Sequence, residues 1–289
     1  TLDLKALTRF LKNPSQHFLN QRLNVYFERG DALGEDDERF EFSNLDVYKH
    51  GDKVFESLDA LTGDPDAGTF KRVLAKVRQE GQFPLGAHGD LVQDDFELKL
   101  QSILAAEAEL KAAWPKVLEH PLELPPLRFK TPSGQDFILE DWLFHLRQPG
   151  SGEKRYALIE RTPSKIYNKS KPRLEKLIAL WVRHLAAHAG GVALSSYLIG
   201  VDEMIALPDR IPGDKALEHL RALVEAYEAG LSAPLPVAPQ TAFASFVKPS
   251  TKPLTRLNAM RDAYEDSIRM QGEVGRSPYL RRTYPTLDA

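Results

Sequence analysis

Three carboxylates near the middle of the chain have the residue types and the setting that hydrolysis of a phosphodiester requires. Glu140 and Asp141 interrupt an otherwise apolar stretch, residues 135–147, that predicts a strand, and Glu160 lies near the end of the next predicted strand, residues 154–161. Carboxylates on neighbouring strands are how metal-dependent nucleases hold Mg²⁺, which activates water and stabilises charge on the phosphoryl group. The alternative is that Glu140 or Asp141 faces solvent on the polar side of its strand, and residue types leave both interpretations open.

A second candidate site is a basic loop that enters a predicted helix, residues 164–176 with the sequence SKIYNKSKPRLEK. Cations interleaved with tyrosine are suited to following a phosphate backbone while an aromatic ring stacks on a base. An ordinary solvated basic surface explains the same residues equally well. The candidates for DNA contact, chosen by charge density alone, are Lys165, Lys169, Lys171 and Arg173.

Other reactive arrangements fail on spacing. The segment QPGSGEKR, residues 148–155, has the glycines and lysine of a phosphate loop, but Arg155 stands where Ser or Thr is required, so we predict a β-turn. His184 and His188 lie four apart on a predicted helix, yet Leu185 replaces the glutamate of a zinc-protease motif, which favours a pair of surface histidines. The chain has no Cys, which excludes disulfides, thiolate metal sites and Cys nucleophiles. We expect no metal and no cofactor in this domain.

The composition is that of an ordinary globular protein. The 289 residues are 42% hydrophobic and 27% charged, with a net charge of −3, which argues against a general nucleic-acid coat but allows a local basic face. No apolar run approaches the roughly 20 residues that a membrane span needs. We therefore expect a soluble, cytoplasmic domain. Because Thr1 falls inside a helical pattern, we also expect a piece of a longer protein.

The first part of the chain, residues 1–118, is predicted to be a helical section. Asn13 suits a helix N-cap and Pro14 the first helical position, so two short helices are expected to meet there. A further helical region, residues 43–62, is predicted to be interrupted at Gly51. The side chains of the opening helices expected to be buried within this helical section are Phe10, Phe18, Leu19 and Leu23.

The remainder, residues 119–289, has the pattern of an α/β core followed by C-terminal helices. Its predicted elements follow the order β-β-β-α-β, over residues 122–131, 135–147, 154–161, 171–189 and 190–200. Further helices are predicted at about residues 214–230 and 252–271, separated by a proline-rich crossing.

Four segments occur in an order that is typical of a known family. They are LTRFLKNPSQHFLNQRLNV (7–25), EGQFPLGAHGD (80–90), LVEAYEAGLSAPLPVAPQTAFAS (223–245) and PYLRRTYP (278–285). Together they resemble the C-terminal domain of RecC, the gamma subunit of the exodeoxyribonuclease V (RecBCD) complex.

The resemblance implies a restriction-endonuclease-like core of the PD-(D/E)XK type, similar to the nuclease domain of RecB, with a degenerate active site. Active domains of this type carry Asp on the second core strand, Asp/Glu-x-Lys on the third, and Gln-x-x-x-Tyr on the following helix. Glu140 or Asp141 corresponds to the first acid and Glu160 to the second. The lysine is replaced by Thr162, and the predicted helix at 171–189 contains neither Gln nor Tyr.

The function that the resemblance implies is a non-catalytic domain, not an enzyme on its own, within an ATP-dependent helicase and exodeoxyribonuclease. Such a complex acts in double-strand-break repair and homologous recombination. The domain would contribute a DNA-binding, strand-guiding surface and contacts to RecB and RecD, with no membrane partner. The alternatives are an autonomous Mg²⁺-dependent nuclease that uses Glu140 or Asp141 with Glu160, and a protein-interaction module without DNA contact.

Overall fold

The polypeptide forms a mixed β-sheet with helices on both faces. The structure, a computed structural model, describes residues 1–27, 44–60, 67–80, 83, 86–168, 170–247, 253–267 and 271–288. The helices in these ranges are α1 (Leu4–Lys12), α2 (Pro14–Leu23), α3 (Asn44–Asp59), α4 (Ala67–Gln79), α5 (Gly86–Ala113), α6 (Ile178–Ala189), α7 (Gly213–Ser232), α8 (Pro239–Val247), α9 (Pro253–Tyr264), α10 (Glu273–Arg276) and α11 (Pro278–Thr283). The strands are β1 (Lys116–Val117), β2 (Leu122–Glu123), β3 (Leu127–Lys130), β4 (Asp136–Leu139), β5 (Trp142–Leu143), β6 (Leu146–Gln148), β7 (Arg155–Arg161), β8 (Tyr167–Asn168), β9 (Lys171–Pro172), β10 (Ala193–Ile199) and β11 (Met204–Leu207).

The main sheet has the strand order β1-β6-β7-β10-β11. Its two central strands, β7 and β10, run parallel, and the remaining pairs are antiparallel. Parallel neighbours need a crossover connection, which here is helix α6. The expected α/β class is confirmed.

Successive side chains of β7 and β10 point to opposite faces of the sheet. Both faces are apolar, and a layer of helices packs on each. Leu158 and Leu198 belong to the apolar cluster that includes the buried side chains of α6 and α7. Ile159 and Ile199 belong to a second cluster, formed mainly by α3, α4 and α5. Neighbouring residues on β7 therefore reach different layers, which decides where the charged end of this strand makes its contacts. None of the described helices is long and apolar enough to cross a bilayer.

The strands are shorter and more numerous than the sequence pattern predicts. Pro125 and Pro126 divide the predicted strand 122–131 into β2 and β3, because proline cannot donate to a ladder. The predicted strand 135–147 is divided into β4, β5 and β6, with His145 in the left-handed region at φ 57°. The pattern also missed the edge strand β11.

The predicted junction of two helices at Asn13 is confirmed. The Asn13 side chain accepts a hydrogen bond from the Gln16 backbone N–H at 2.9 Å, and Pro14 occupies the first turn of α2. Phe10 and Leu19 are buried as expected, but Leu23 is 53% exposed and Phe18 is half-buried. Phe10 packs with the sheet and with α6 and α7 rather than with α3–α5.

Helix α3 continues through Gly51, where an interruption was predicted. A Cβ atom at this position would lie 2.3 Å from a side-chain carbon of Pro163. Glycine therefore permits close approach of the helix to the loop after β7, and it does not break the helix.

The two histidines of α6 are buried in the core, so the prediction of a surface pair is wrong. His184 Nδ1 lies 3.0 Å from Ser196 Oγ, and His188 Nε2 lies 3.0 Å from the Leu194 carbonyl oxygen. Both contacts join α6 to β10, across the central β-α-β unit. Burial, together with the charge of His188, lowers the pKa of His184 to about 4.

We predict that this histidine makes folding pH-dependent. Because the pKa of His184 is about 4 in the folded protein, against 6.5 for an unperturbed histidine, the unfolded chain takes up a proton more readily between these values. Its contribution to stability is complete above about pH 6.5 and falls on acidification, by about 2 kcal/mol at pH 5. Urea unfolding at pH 7 and pH 5 measures the change in the free energy of unfolding.

The variant His184→Asn, which cannot titrate, should show a smaller pH dependence of stability than wild type. The control His120→Asn, at an exposed site, should show the same pH dependence as wild type. Equal pH dependence in all three proteins would contradict the assignment.

Candidate functional site

A cleft of about 670 Å³ opens beside the end of β7 and is bounded by α3, α5, β1 and β6. It contains one predicted site residue, Glu160, and neither Glu140 nor Asp141. Its charged side chains are the carboxylates Asp52, Glu56, Asp59, Glu107 and Glu160 and the cations Lys111, Arg147, Arg161 and Arg183.

The carboxylate of Glu160 is paired with a guanidinium group from α6. Arg183 Nη1 lies 2.5 Å from Glu160 Oε1, and the two side chains are 28% and 29% exposed. Position 160 on β7 faces the α6 layer, which is why this arginine reaches it. The positive charge beside Glu160 is thus that of an arginine side chain of the same chain.

Arg161, the next residue on β7, faces the opposite layer and joins three elements. Its guanidinium binds Glu107 of α5 and Asp59 of α3, and it lies over the ring of Phe55 at 4.6 Å from the centroid. Lys111 adds a second cation at 3.4 Å from Glu107. The Arg161 and Glu107 side chains are each only 11% exposed. This network attaches the helical layer to the sheet and neutralises the carboxylates at the cleft floor.

Glu140 and Asp141 lie in the link between β4 and β5, away from the strand that pairs with β7. Asp141 Oδ2 accepts a hydrogen bond from the Leu4 backbone N–H at 2.8 Å, and its Oδ1 accepts one from Trp142 N–H at 2.7 Å. Asp141 thereby satisfies an amide at the start of α1. Glu140 is exposed, and its backbone N–H donates to the Leu2 carbonyl at 3.2 Å.

No group of three or more His, Asp or Glu side chains in the described part of the chain is arranged to hold a metal ion. In the cleft, Asp59 and Glu107 are paired with Arg161, and Glu160 is paired with Arg183. The cleft is therefore suited to binding a ligand through its shape and through the charge that these pairs leave over.

Asp202 fixes the backbone of the basic loop. Its carboxylate accepts hydrogen bonds from the Ile166 and Tyr167 backbone N–H groups at 2.9 and 3.0 Å. Of the predicted DNA contacts, Lys165 is exposed and Lys171 is half-buried. Arg173 pairs with Glu175 at 2.9 Å and donates to the Lys165 carbonyl. Lys169 lies outside the described residues. Burial, followed by the charge of Arg173, lowers the pKa of Lys176 in the turn after the loop.

Sequence patterns did not identify the charged residues that pair with one another in the cleft, although one signal was present. Glu107 falls on the buried stripe of α5 that includes Phe96, Leu100 and Ile103. A carboxylate at a core position of a helix predicts a buried cation, here Arg161. Nothing comparable marks Arg183, which is at the half-exposed edge of α6.

Comparison with known proteins assigns the chain to a family. The family model of the RecC C-terminal domain matches residues 1–248, which include the whole sheet and the cleft. The chain belongs to the RecC C-terminal domain family. It is similar to the RecBCD enzyme subunit RecC of Escherichia coli (strain K12), at 26% identity over 243 residues that are 83% of this chain and 19% of the relative. The chain thus spans about a fifth of the length of that relative, and the resemblance stated from the four segments is confirmed.

In this RecC C-terminal domain we predict that Arg161 contributes far more to stability than Arg183. Arg161→Met leaves the Glu107 carboxylate buried with only Lys111 nearby, so we expect a loss of about 3 kcal/mol. Arg183→Met removes a more exposed pair and should cost at most about 1 kcal/mol. Urea unfolding at pH 7 measures both. The double variant Arg161→Met/Glu107→Met should recover part of the first loss, and equal costs for the two arginines would refute the distinction.

Proposed function

We propose that this chain is the non-catalytic C-terminal domain of an exodeoxyribonuclease V gamma subunit, acting in double-strand-break repair and recombination within a RecBCD-type helicase–nuclease. Membership of the RecC C-terminal domain family supports the assignment, as does the similarity to RecC of the RecBCD enzyme. By this proposal the partners are RecB, RecD and DNA, and the site of action is the cytoplasm.

A PD-(D/E)XK-type core is part of the proposal, and the topology supports it. Helix α5 precedes the sheet, β6 and β7 pair antiparallel, and α6 crosses from β7 to its parallel neighbour β10. Glu160 then occupies the acid position on the third core strand, as the resemblance implies. The preceding core strand is β6, Leu146–Gln148, which carries no acidic residue.

The observation that carries the non-catalytic assignment is the pairing of Glu160 with Arg183 at 2.5 Å. A metal-binding carboxylate must leave its oxygens open to a cation, and here a guanidinium takes that position. Thr162 replaces the lysine, and its hydroxyl lies 3.0 Å from that of Ser164. Helix α6 contains neither Gln nor Tyr. The groups that would bind Mg²⁺ and position a water are therefore missing or already paired.

We expect the 289-residue chain to show no cleavage of labelled single- or double-stranded DNA with Mg²⁺ or Mn²⁺. The triple variant Glu140→Ala/Asp141→Ala/Glu160→Ala serves as the contamination control, since cleavage that persists in it comes from another protein. Cleavage by wild type that disappears in the triple variant would overturn the non-catalytic assignment and favour the autonomous nuclease.

DNA contact is proposed for the basic loop, in which Lys165 is the most exposed of the cations that the structure describes. The variant Lys165→Gln/Lys171→Gln/Arg173→Gln should lower affinity for duplex DNA and reduce the slope of log affinity against log salt by about 2 to 3. The ion pair of Arg173 with Glu175 should make its share the smallest. Fluorescence anisotropy at several salt concentrations measures the slope.

A matched control changes three exposed lysines elsewhere, in Lys5→Gln/Lys116→Gln/Lys215→Gln. It should leave the salt slope near that of wild type. Equal slopes for the two triple variants would mean that the loop is an ordinary solvated surface, and a protein-interaction module would then be favoured.

A further inference from the structure

We propose that the cleft beside β7 holds an extended segment of a partner polypeptide, in which apolar side chains alternate with Lys or Arg. The inference deepens the subunit contacts of the proposed function and rests on its non-catalytic assignment. Its support is an apolar wall, a second, acidic wall and cations that are already engaged.

The apolar wall is formed by three large side chains that the folded chain leaves in water. Val117, Trp142 and Phe144 are 59%, 46% and 53% exposed, and all of them line the cleft. Exposed aromatic residues gathered in one concavity are typical of protein-binding sites, where burial of such rings supplies most of the affinity. Val117 lies on β1, the edge strand of the sheet, so an extended segment is able to lie beside it without displacing a strand.

The second wall is acidic and comes from one face of α3. Asp52, Glu56 and Asp59 follow helical spacing and all line the cleft. Glu56 is exposed, and its carboxylate makes no hydrogen bond or ion pair with another residue in the described part of the chain. It is therefore available to a cation from outside.

The cleft's own cations are occupied, which disfavours a phosphate backbone. Arg161 and Arg183 are paired with carboxylates, and Lys111 lies beside Glu107. Arg147 donates to the backbone carbonyls of residues 114 and 115. The lining has five carboxylates against four Lys and Arg, so its residual charge is negative. The excess of carboxylate favours Lys or Arg side chains over phosphate groups.

An extended segment is able to serve both walls, because its successive side chains point to opposite sides and so present apolar and basic groups separately. Apolar residues at alternate positions contact Trp142 and Phe144, and the basic residues between them approach Glu56.

The test is site-specific photocrosslinking in the assembled complex of full-length subunits. Benzoylphenylalanine placed at position 144 replaces one exposed aromatic side chain with another, and the same substitution at Phe246, which is 75% exposed on α8, is the positional control. We expect position 144 to crosslink to a partner polypeptide, at a segment with Lys or Arg next to apolar residues. We further expect Glu56→Lys to lower the yield about fivefold through charge repulsion, and Asp94→Lys, an exposed acid on α5 outside the cleft, to leave it unchanged.

Four outcomes would overturn the proposal: no crosslink from position 144, a crosslink only to DNA, a crosslink only within the same polypeptide, or a yield that Glu56→Lys and Asp94→Lys affect equally. Assembly of each variant is checked by size-exclusion chromatography, so that lost yield is not mistaken for lost complex. The cleavage assay is independent, because an active wild-type chain would refute the non-catalytic assignment while a missing crosslink would refute the docking segment alone.

Discussion

A buried carboxylate must be matched by a cation, and the structure meets this requirement at Glu107 with Arg161. The guanidinium also binds Asp59, so a single side chain on β7 connects the sheet to α5 and to α3. Both helices belong to the second apolar cluster, whose contact with the sheet is made through Ile159 and Ile199. The charge network therefore fixes the position of the helical layer that forms one side of the cleft.

The same requirement decides what the cleft is able to bind. Alternation along β7 sends Glu160 toward α6 and Arg161 toward α5, and each layer supplies the opposite charge. Where a metal site keeps carboxylates open and lets an ion complete the balance, this cleft completes it with arginine. The two arginines also connect elements that line the cleft, since Arg161 joins β7 to α3 and α5 and Arg183 joins α6 to β7.

Local rules were enough where a structure depends on neighbours in sequence. The meeting of two helices at Asn13 and Pro14 was predicted because a cap and a fixed φ act within one turn. They were not enough at Gly51, which the pattern marks as a break and which the packing of Pro163 makes part of a helix. Nor did they identify His184 as buried, because its partner Ser196 comes from a strand whose pairing is set by the whole sheet.

The candidate acids illustrate the same division between residue type and position. Glu140 and Asp141 have the chemistry of a metal site, but a carboxylate is equally suited to accepting backbone N–H groups, and Asp141 does so at the start of α1. Which role a carboxylate takes depends on the strand that its neighbours join. Because residues 135–147 divide into three short strands, the acids lie outside the strand that pairs with β7, and Glu160 is left with Arg183. The placement of these acids thus follows from where one strand ends, a boundary that depends on contacts distant in the sequence.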